Sequence, residues 1–175
     1  MSRVLVTGGV GALGAGIVRR LLADPNYDVR VADSRPAPQW MRETCELRGG
    51  EESELADALR GCSHAVHIAV TLEGSGGQSA DEFVLLSHSV ALDTAILRAA
   101  IEQGLERLVY VSPPSASASD PGKLAARALA ALVGERLCEA ARSDHGLELA
   151  ICRVENPDDP GAVEAAAVEV VAALR

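Results

Sequence analysis

Hydrophobic residues in this chain form two alternating kinds of segment. Short runs rich in β-branched residues predict buried strands, and longer Ala- and Leu-rich stretches with apolar residues three and four apart predict helices. The predicted strands span residues 3–7, 28–33, 44–47, 65–69, 107–112 and 147–153, and the predicted helices span 13–23, 52–60, 80–103, 121–142 and 160–174. The alternation predicts an α/β fold: a single doubly wound Rossmann-type parallel sheet of about six strands with helices on both faces. We expect one domain over residues 1–175 and no separate substrate domain.

Capping and turn residues support several of these boundaries. Asp120 and Asp159 each precede a proline, which places a capping carboxylate before a proline in the first helical turn. Gly104 and Gly146 stand where two helices should end. The last helix should pack on the sheet through one apolar face, formed by Val163, Ala166, Ala167, Val170 and Leu174.

Composition excludes several classes of partner. The chain carries 16 Lys and Arg against 25 Asp and Glu, a formal net charge of −9, so it lacks the basic surface that nucleic acids and anionic membranes require. Its aromatic residues are one Trp, two Tyr and one Phe, too few for a base-stacking platform. We expect no nucleic acid partner and no membrane partner.

The cysteines and the amino terminus indicate a reducing compartment. The four cysteines are far apart and form no CxxC pair, so we expect reduced thiols and no metal site. The first residues enter a strand directly, without the pattern of a leader peptide. No apolar run approaches the ~20 residues that a membrane span needs. These features predict a cytoplasmic protein.

A glycine-rich loop joins the first predicted strand to the first helix. We predict that Gly8 makes the tight turn, Gly11 leaves room for a pyrophosphate, and Gly14 lets the helix pack closely. The helix would present free N–H groups to the phosphates. The predicted dinucleotide contacts are Gly8, Gly9, Gly11, Ala12, Leu13 and Gly14. The alternative is that these glycines only make a tight connection between strand and helix.

An acidic residue ends the second predicted strand, where a carboxylate can accept both ribose hydroxyls of an adenosine. Asp33 favours NAD because its charge would repel a 2′-phosphate, but Arg35 could offset that repulsion, so NADP stays possible. A solvated turn is the plainer explanation of this pair. At the other end of the dinucleotide, we expect Ala69 and Ser112 to line the nicotinamide side.

With these residues the chain resembles the extended short-chain dehydrogenase/reductase family, the NAD-dependent nucleotide-sugar epimerases and dehydratases. The loop from Thr7 to Gly14 matches that family's TGGxGxxG pattern, and residues 55–69, 99–112 and 134–153 resemble its later segments. The resemblance covers about residues 3–156. It implies a Rossmann fold with bound NAD or NADP, followed by a substrate lobe that we do not expect in this chain.

The catalytic pair of that family does not carry over to this sequence. The resemblance implies a Tyr-x-x-x-Lys motif for proton transfer, but the tyrosine position falls on Arg127 and the lysine position on Ala131. Arginine stays protonated in proteins and cannot act as the acid/base. An alternative register places Ser119 and Lys123 at the motif, at the expense of eight additional helix residues.

Other polar residues are candidates for the missing chemistry. The family's active-site serine falls on Pro114, with Ser112 and Ser115 beside it, and Ser89 stands at the family's asparagine. His67 should lie at the carboxyl end of the fourth strand, where a structural role is commoner than a catalytic one. If the chain is an enzyme, we predict that Ser112, Ser115 or His67 handles the proton.

Three functions follow from these observations. The first is an NAD(P)-binding protein with degenerate or no catalytic activity, either a dinucleotide sensor or a regulatory subunit. The second is a shortened NAD(P)-dependent oxidoreductase or epimerase that acts on a small carbonyl or sugar-like substrate with a non-standard proton donor. The third is a structural domain without a ligand. The first two allow a homo-oligomer or a partner subunit that completes the pocket.

Overall fold

Six parallel strands form the centre of the molecule. The computed structural model describes residues 1–69, 81–112, 126–154 and 159–175, and its sheet has the order β3-β2-β1-β4-β5-β6. The strands are β1 (Ser2–Thr7), β2 (Tyr27–Ala32), β3 (Glu46–Arg48), β4 (His64–Ile68), β5 (Arg107–Ser112) and β6 (Leu149–Arg153). The helices are α1 (Ala12–Leu22), α2 (Gln39–Thr44), α3 (Leu55–Leu59), α4 (Glu82–Glu102), α5 (Ala126–His145) and α6 (Pro160–Ala173). The predicted fold class is confirmed.

Two predicted segments need correction. The segment 44–47 was expected to be a strand, but Thr44 ends the short helix α2, where its hydroxyl donates to Trp40 O at 2.8 Å, and β3 begins only at Glu46. The helix expected over 52–60 starts as a 3-10 turn at Glu52–Glu54. Its first turn is fixed by a capping box between Glu51 and Glu54, which satisfies backbone donors at a helix start.

Apolar side chains fill both faces of the sheet. Because successive residues of a strand point to opposite faces, Val4 and Val6 pack with residues of α1 and α6, whereas Leu5 packs with residues of α3 and α4. Each fully buried side chain of this size contributes about 1.5–3 kcal/mol through removal from water. The two layers hold the helices in place and fix where their ends lie.

The predicted helix-capping aspartate and the two predicted helix-ending glycines are confirmed in the described residues. Asp159 accepts a hydrogen bond from Ala162 N at 2.8 Å, with Pro160 in the first turn of α6. Gly104 and Gly146 follow α4 and α5 with φ of +64° and +69°, a conformation that favours glycine. The cap expected at Asp120 lies outside the described residues.

The α4 helix combines length with low polarity. An 18-residue window within its 21 residues has a mean hydropathy of 1.5, so by length and composition alone the helix could cross a membrane, although the sequence has no uninterrupted apolar run of that length. Ile96 and Ala100 of α4 are fully buried in the layer that covers the sheet. It is therefore a core helix of this fold.

The strand order creates a crevice above the middle of the sheet. The chain proceeds outward from β1 to β2 and β3, then returns to place β4 on the other side of β1. In doubly wound sheets, ligands bind outside the carboxyl ends of the strands at such a reversal. The last residue of β1, Thr7, pairs in register with His67 of β4, so this crevice opens directly above them.

Candidate functional site

The glycine loop turns sharply from β1 into α1. Gly8 has φ of +69°, and its N–H donates to Ala32 O at 2.9 Å while its carbonyl accepts from Gly11 N at 3.3 Å. Gly11 is the residue that precedes α1 and has no side chain with which to cap it. The N–H groups of the first helical turn, at Ala12, Leu13 and Gly14, have no carbonyl partner within the helix. The loop thus aims a positive helix end at the crevice.

Two further glycines are required by close packing. A Cβ atom on Gly14 would lie 2.2 Å from Gly8 O, and one on Gly9 would lie 2.6 Å from Val31 Cγ1. The positive φ of Gly8 and the tight contact at Gly14 confirm that the chain itself needs glycine at these positions. The pyrophosphate role of Gly11 stays a prediction.

Asp33 links the end of β2 to the glycine loop. Its Oδ2 accepts from Val10 N at 2.9 Å, and Arg35 donates to both oxygens, from Nε to Oδ1 at 3.0 Å and from Nη2 to Oδ2 at 2.8 Å. Burial, the strongest single influence on this carboxyl, would raise its pKa, but the hydrogen bonds of Arg35 and Val10 outweigh burial and lower the pKa. Asp33 is therefore an ionised acceptor at neutral pH, already held by its own chain.

A cavity of about 100 Å³ lies between the glycine loop and α4. Gly50 closes one side with no room for a side chain, since a Cβ there would lie 2.7 Å from Asp33 Cα. The cavity brings together the ends of β1, β2 and β4 with α4, and among its lining residues are Thr7, Gly8, Asp33, His67, His88 and Leu92. Gly8 and Asp33 thus share one cavity with His67, whereas Gly11 and Ala12 line a separate cavity beside α1.

Polar residues from three adjacent strands form a row beneath this cavity. Thr7 of β1, His67 of β4 and Tyr110 of β5 are consecutive register partners. Thr7 Oγ1 lies 2.6 Å from His67 Nδ1, His67 Nε2 lies 2.8 Å from Asp93 Oδ1, and the Tyr110 hydroxyl donates to Asp93 Oδ2 at 3.0 Å. We call Thr7, His67, Asp93 and Tyr110 the buried polar row.

The buried polar row leaves little freedom for acid/base chemistry at His67. The His67 side chain is 2% exposed and both ring nitrogens have partners within the protein. A general acid or base must reach the proton that it transfers. A catalytic role for His67 stays a prediction, and this geometry favours the structural role. Burial, then the nearby Asp93 charge, raises the pKa of Tyr110 far above its ordinary value, so its hydroxyl stays protonated.

The residues expected near the nicotinamide lie at neighbouring strand ends. Ser112 is the last residue of β5 and is fully buried, and Ala69 follows β4 with its N–H donating to Val111 O at 3.0 Å. At the end of β6, the strand beside β5, Arg153 donates to both oxygens of the buried Glu135 carboxylate of α5 at 2.9 and 2.6 Å. Contacts of Ala69 and Ser112 with a nicotinamide stay predictions.

Part of the predicted catalytic side lies outside the described residues. This holds for Pro114, Ser115, Ser119 and Lys123. Of the motif positions in α5, Ala131 is buried in the helix. In the described part of the chain, Ser89 Oγ is the buried side-chain oxygen without a hydrogen-bond partner.

Sequence reasoning missed the role of Asp93. The signal was present: Asp93 lies on the face of α4 that also carries the buried Ser89, Ile96, Leu97 and Ala100, so a carboxylate stands at core spacing. Buried carboxylates need hydrogen-bond partners, and a buried acid of this kind indicates a polar partner on the covered strands.

Comparisons with known proteins agree with this geometry. The model of the NAD dependent epimerase/dehydratase family matches residues 4–174. The 3 beta-hydroxysteroid dehydrogenase/Delta 5-->4-isomerase of Mycobacterium tuberculosis is 34% identical over 121 residues, which are 66% of this chain and 32% of that protein. The chain therefore spans about a third of the length of the curated relatives that it matches.

Solved structures show the same architecture. The dTDP-glucose 4,6-dehydratase DesIV of Streptomyces venezuelae, solved with NAD and TYD bound, is 27% identical with a TM-score of 0.71, over 86% of this chain and 55% of that chain. A short-chain dehydrogenase/reductase superfamily protein from Agrobacterium tumefaciens, solved with bound NAD, is 25% identical with a TM-score of 0.71, over 86% and 48% of the two chains.

Proposed function

The chain belongs to the NAD-dependent epimerase/dehydratase family, and from that premise we propose that it binds NAD at the carboxyl edge of its sheet. The observation that carries the proposal is the combination at the glycine loop: an α1 amino terminus preceded by Gly11, and the Asp33 carboxylate bonded to Val10 N at 2.9 Å. Free N–H groups suit a diphosphate, and a carboxylate suits a ribose diol. The solved relatives with bound NAD support the same choice.

The residues present fit the two halves of an adenosine diphosphate. The N–H groups of Ala12, Leu13 and Gly14 would hold the diphosphate, and Asp33 would accept from the ribose hydroxyls. NAD supplies hydride transfer when it is bound. The chain's own contribution is to fix these donors and this acceptor on rigid elements before the ligand arrives.

Arg35 bears on the choice between NAD and NADP. Its two side-chain hydrogen bonds to Asp33 balance the carboxylate charge, so the ribose hydroxyls of NAD must share the carboxylate with Arg35 or displace it. The 2′-phosphate of NADP would meet both the Asp33 anion and the Arg35 cation. The Asp33 side chain is 5% exposed and the Arg35 side chain 41%, which places the carboxylate inside the site and the guanidinium at its rim. NAD is the proposed cofactor.

For the reaction, we propose a dinucleotide-binding protein with degenerate or no catalysis. The support is the departure from Tyr-x-x-x-Lys: Arg127 and Ala131 stand at those positions, and a buried alanine such as Ala131 has no proton to exchange. A sensor or regulatory subunit requires binding alone. A regulatory subunit would act on a partner subunit or on a second copy of the chain, whereas a partner that completes a substrate pocket belongs to the enzyme alternative.

A second candidate is a shortened NAD-dependent oxidoreductase or epimerase that acts on a small carbonyl or sugar-like substrate. It is favoured by the relatives, whose names state dehydrogenase and dehydratase activities, and by Ser112 at the end of β5, next to the β4 end. Screening of ketone reduction with Ser112→Ala and His67→Gln separates the two: turnover lost in Ser112→Ala supports the enzyme, and no turnover with any ketone supports the binder.

Isothermal titration with NAD, NADH, NADP and NADPH tests the proposal. Gly11→Val should abolish binding, because the new side chain would occupy the diphosphate's approach, while φ of −64° and ψ of 167° at Gly11 suit valine and preserve the fold. Ala23→Val adds similar bulk at the exposed opposite end of α1 and should leave the affinity unchanged. Absence of binding by the wild-type protein at millimolar dinucleotide would leave the structural-domain alternative.

A further inference from the structure

The buried polar row runs from the start of the glycine loop across β4 to β5 and α4, on one face of the sheet. Thr7 is the residue before Gly8 and lines the cavity together with His67. Thr7 is 5% exposed, and its hydroxyl oxygen lies 2.6 Å from His67 Nδ1. The side chain that begins the loop is therefore anchored to β4 by one hydrogen bond. Whatever orients the His67 ring also orients Thr7.

Asp93 is what orients the His67 ring. Its Oδ1 lies 2.8 Å from His67 Nε2, and its Oδ2 accepts from the Tyr110 hydroxyl at 3.0 Å. A carboxylate only accepts hydrogen bonds, so Nε2 must carry the ring proton, and in the neutral ring Nδ1 must accept from the Thr7 hydroxyl. Asp93 thus selects one tautomer and one direction for the whole chain of hydrogen bonds.

Packing holds Asp93 in this arrangement. A Cβ atom on Gly134 of α5 would lie 2.0 Å from the Tyr110 hydroxyl and 2.5 Å from Asp93 Oδ2, so α5 closes directly over the pair. Asp93 itself is 1% exposed. Water therefore cannot replace its hydrogen bonds, and each bond is specified by the fold.

We propose that Asp93 is a positioning residue for the dinucleotide site: through the His67 tautomer it fixes the Thr7 hydroxyl as a donor and holds the start of the glycine loop in its binding shape. The expected effect of Asp93 on NAD affinity rests on the proposed function. The expected effect of Asp93 on the conformation of the glycine loop does not require a ligand. Neither Asp93 nor Thr7 is a catalytic residue in this account, since Asp93 acts only through His67.

Asp93→Asn is the direct test, because it keeps the size of the side chain. An amide turned toward His67 donates to Nε2, so the ring proton moves to Nδ1 and the Thr7 hydroxyl becomes an acceptor, while Tyr110 still has an oxygen to donate to. The matched control is Tyr110→Phe, which removes a hydrogen bond to the same carboxylate but leaves the bonds between Asp93, His67 and Thr7 in place.

Three measurements decide the matter. Long-range ¹H–¹⁵N spectra should show the His67 proton on Nε2 in the wild type and Tyr110→Phe, and on Nδ1 in Asp93→Asn. The amide hydrogen-exchange rates of Gly8 and Val10 should be about fivefold or more higher in Asp93→Asn than in Tyr110→Phe. Each variant is measured at the same number of degrees below its own unfolding midpoint, so that a difference in global stability does not enter. NAD affinity should fall roughly five- to tenfold in Asp93→Asn, the scale of one unsatisfied hydrogen-bond donor, because the Thr7 hydroxyl can no longer donate to His67 Nδ1, and should stay within about twofold in Tyr110→Phe.

A second pair of variants guards against misfolding. Thr7→Ser keeps the hydroxyl and should retain the affinity and the slow exchange, whereas Thr7→Val should reproduce the faster exchange and weaker NAD binding of Asp93→Asn with the His67 proton still on Nε2. Equal loop exchange in Asp93→Asn and Tyr110→Phe, or full affinity in Thr7→Val, would overturn the inference. If the wild type binds no dinucleotide, the proposed function fails, and the exchange and tautomer measurements still decide the role of Asp93.

Discussion

Replacement of Arg35 should shift the balance between the two dinucleotides. The Arg35 guanidinium donates to both oxygens of Asp33 at 3.0 and 2.8 Å. Its side chain is 41% exposed, so solvent screening limits the ion pair to about 0.5–1 kcal/mol. Arg35→Met should therefore strengthen NAD binding about two- to fivefold, because ribose hydroxyls no longer compete with the fork. NADP binding should weaken about tenfold or more, since a 2′-phosphate would face Asp33 without a cation.

Titration calorimetry at fixed ionic strength measures both changes. The control is Arg60→Met, which removes the same charge from a side chain that is 78% exposed and paired with Asp57. Arg60 follows α3 just before β4 begins, so it lies at the opposite edge of the sheet from the cavity. Weaker NAD binding in Arg35→Met than in Arg60→Met would show that Arg35 assists the ribose, which would refute the competition described here.

Other predictions concern stability and reactivity. Gly14→Ala should lower the free energy of unfolding by about 2 kcal/mol or more, because its Cβ would lie 2.2 Å from Gly8 O. Gly161→Ala would place its Cβ 3.3 Å from Asp159 Oδ2, the movable end of a side chain, and should change the free energy of urea unfolding by about 1 kcal/mol or less. Asp159→Ala should cost about 1 kcal/mol from the lost cap, and Asp159→Asn should restore most of it. Burial raises the pKa of Cys152 to about 11 and raises that of Cys138 further, so at pH 8 mass spectrometry should find both alkylated about a hundredfold more slowly than an ordinary thiol until the protein unfolds.

Much of the fold follows from local signals in the sequence. The strands β1, β4 and β5 are buried apolar runs, and such runs predict parallel strands because both faces are covered. Asp159 before Pro160 predicts a helix start through the chemistry of capping alone. The glycine loop was predicted in the same way, because the positions of Gly8 and Gly14 are required by the backbone turn and by close packing.

The errors arise where tertiary context decides the conformation. Thr44 favours strands by its β-branched side chain, yet it ends α2, whose Met41 is fully buried in the core. Local propensity is weaker than such packing. The helix α2 was missed because six residues give too short a pattern for helical periodicity.

The candidate site was only partly predicted, because part of it also depends on tertiary context. Asp33 lies 23 residues from Val10, at a spacing that the glycine-loop motif itself specifies, whereas no motif specifies that Asp93 of α4 meets His67 of β4. His67 was expected at the carboxyl end of β4 and lies there, but its two hydrogen bonds depend on residues 60 and 26 positions away. Long-range polar contacts of this kind are set by topology, which a strand and helix pattern does not specify.

A crystal structure of the protein grown with excess NAD is the sharpest test of dinucleotide binding at the glycine loop. We expect density for a diphosphate against the N–H groups of Ala12 and Leu13, with ribose hydroxyls within hydrogen-bond distance of the Asp33 carboxylate. Empty density above Gly11 at saturating NAD, or NAD bound anywhere other than the carboxyl edge of β1, would contradict it.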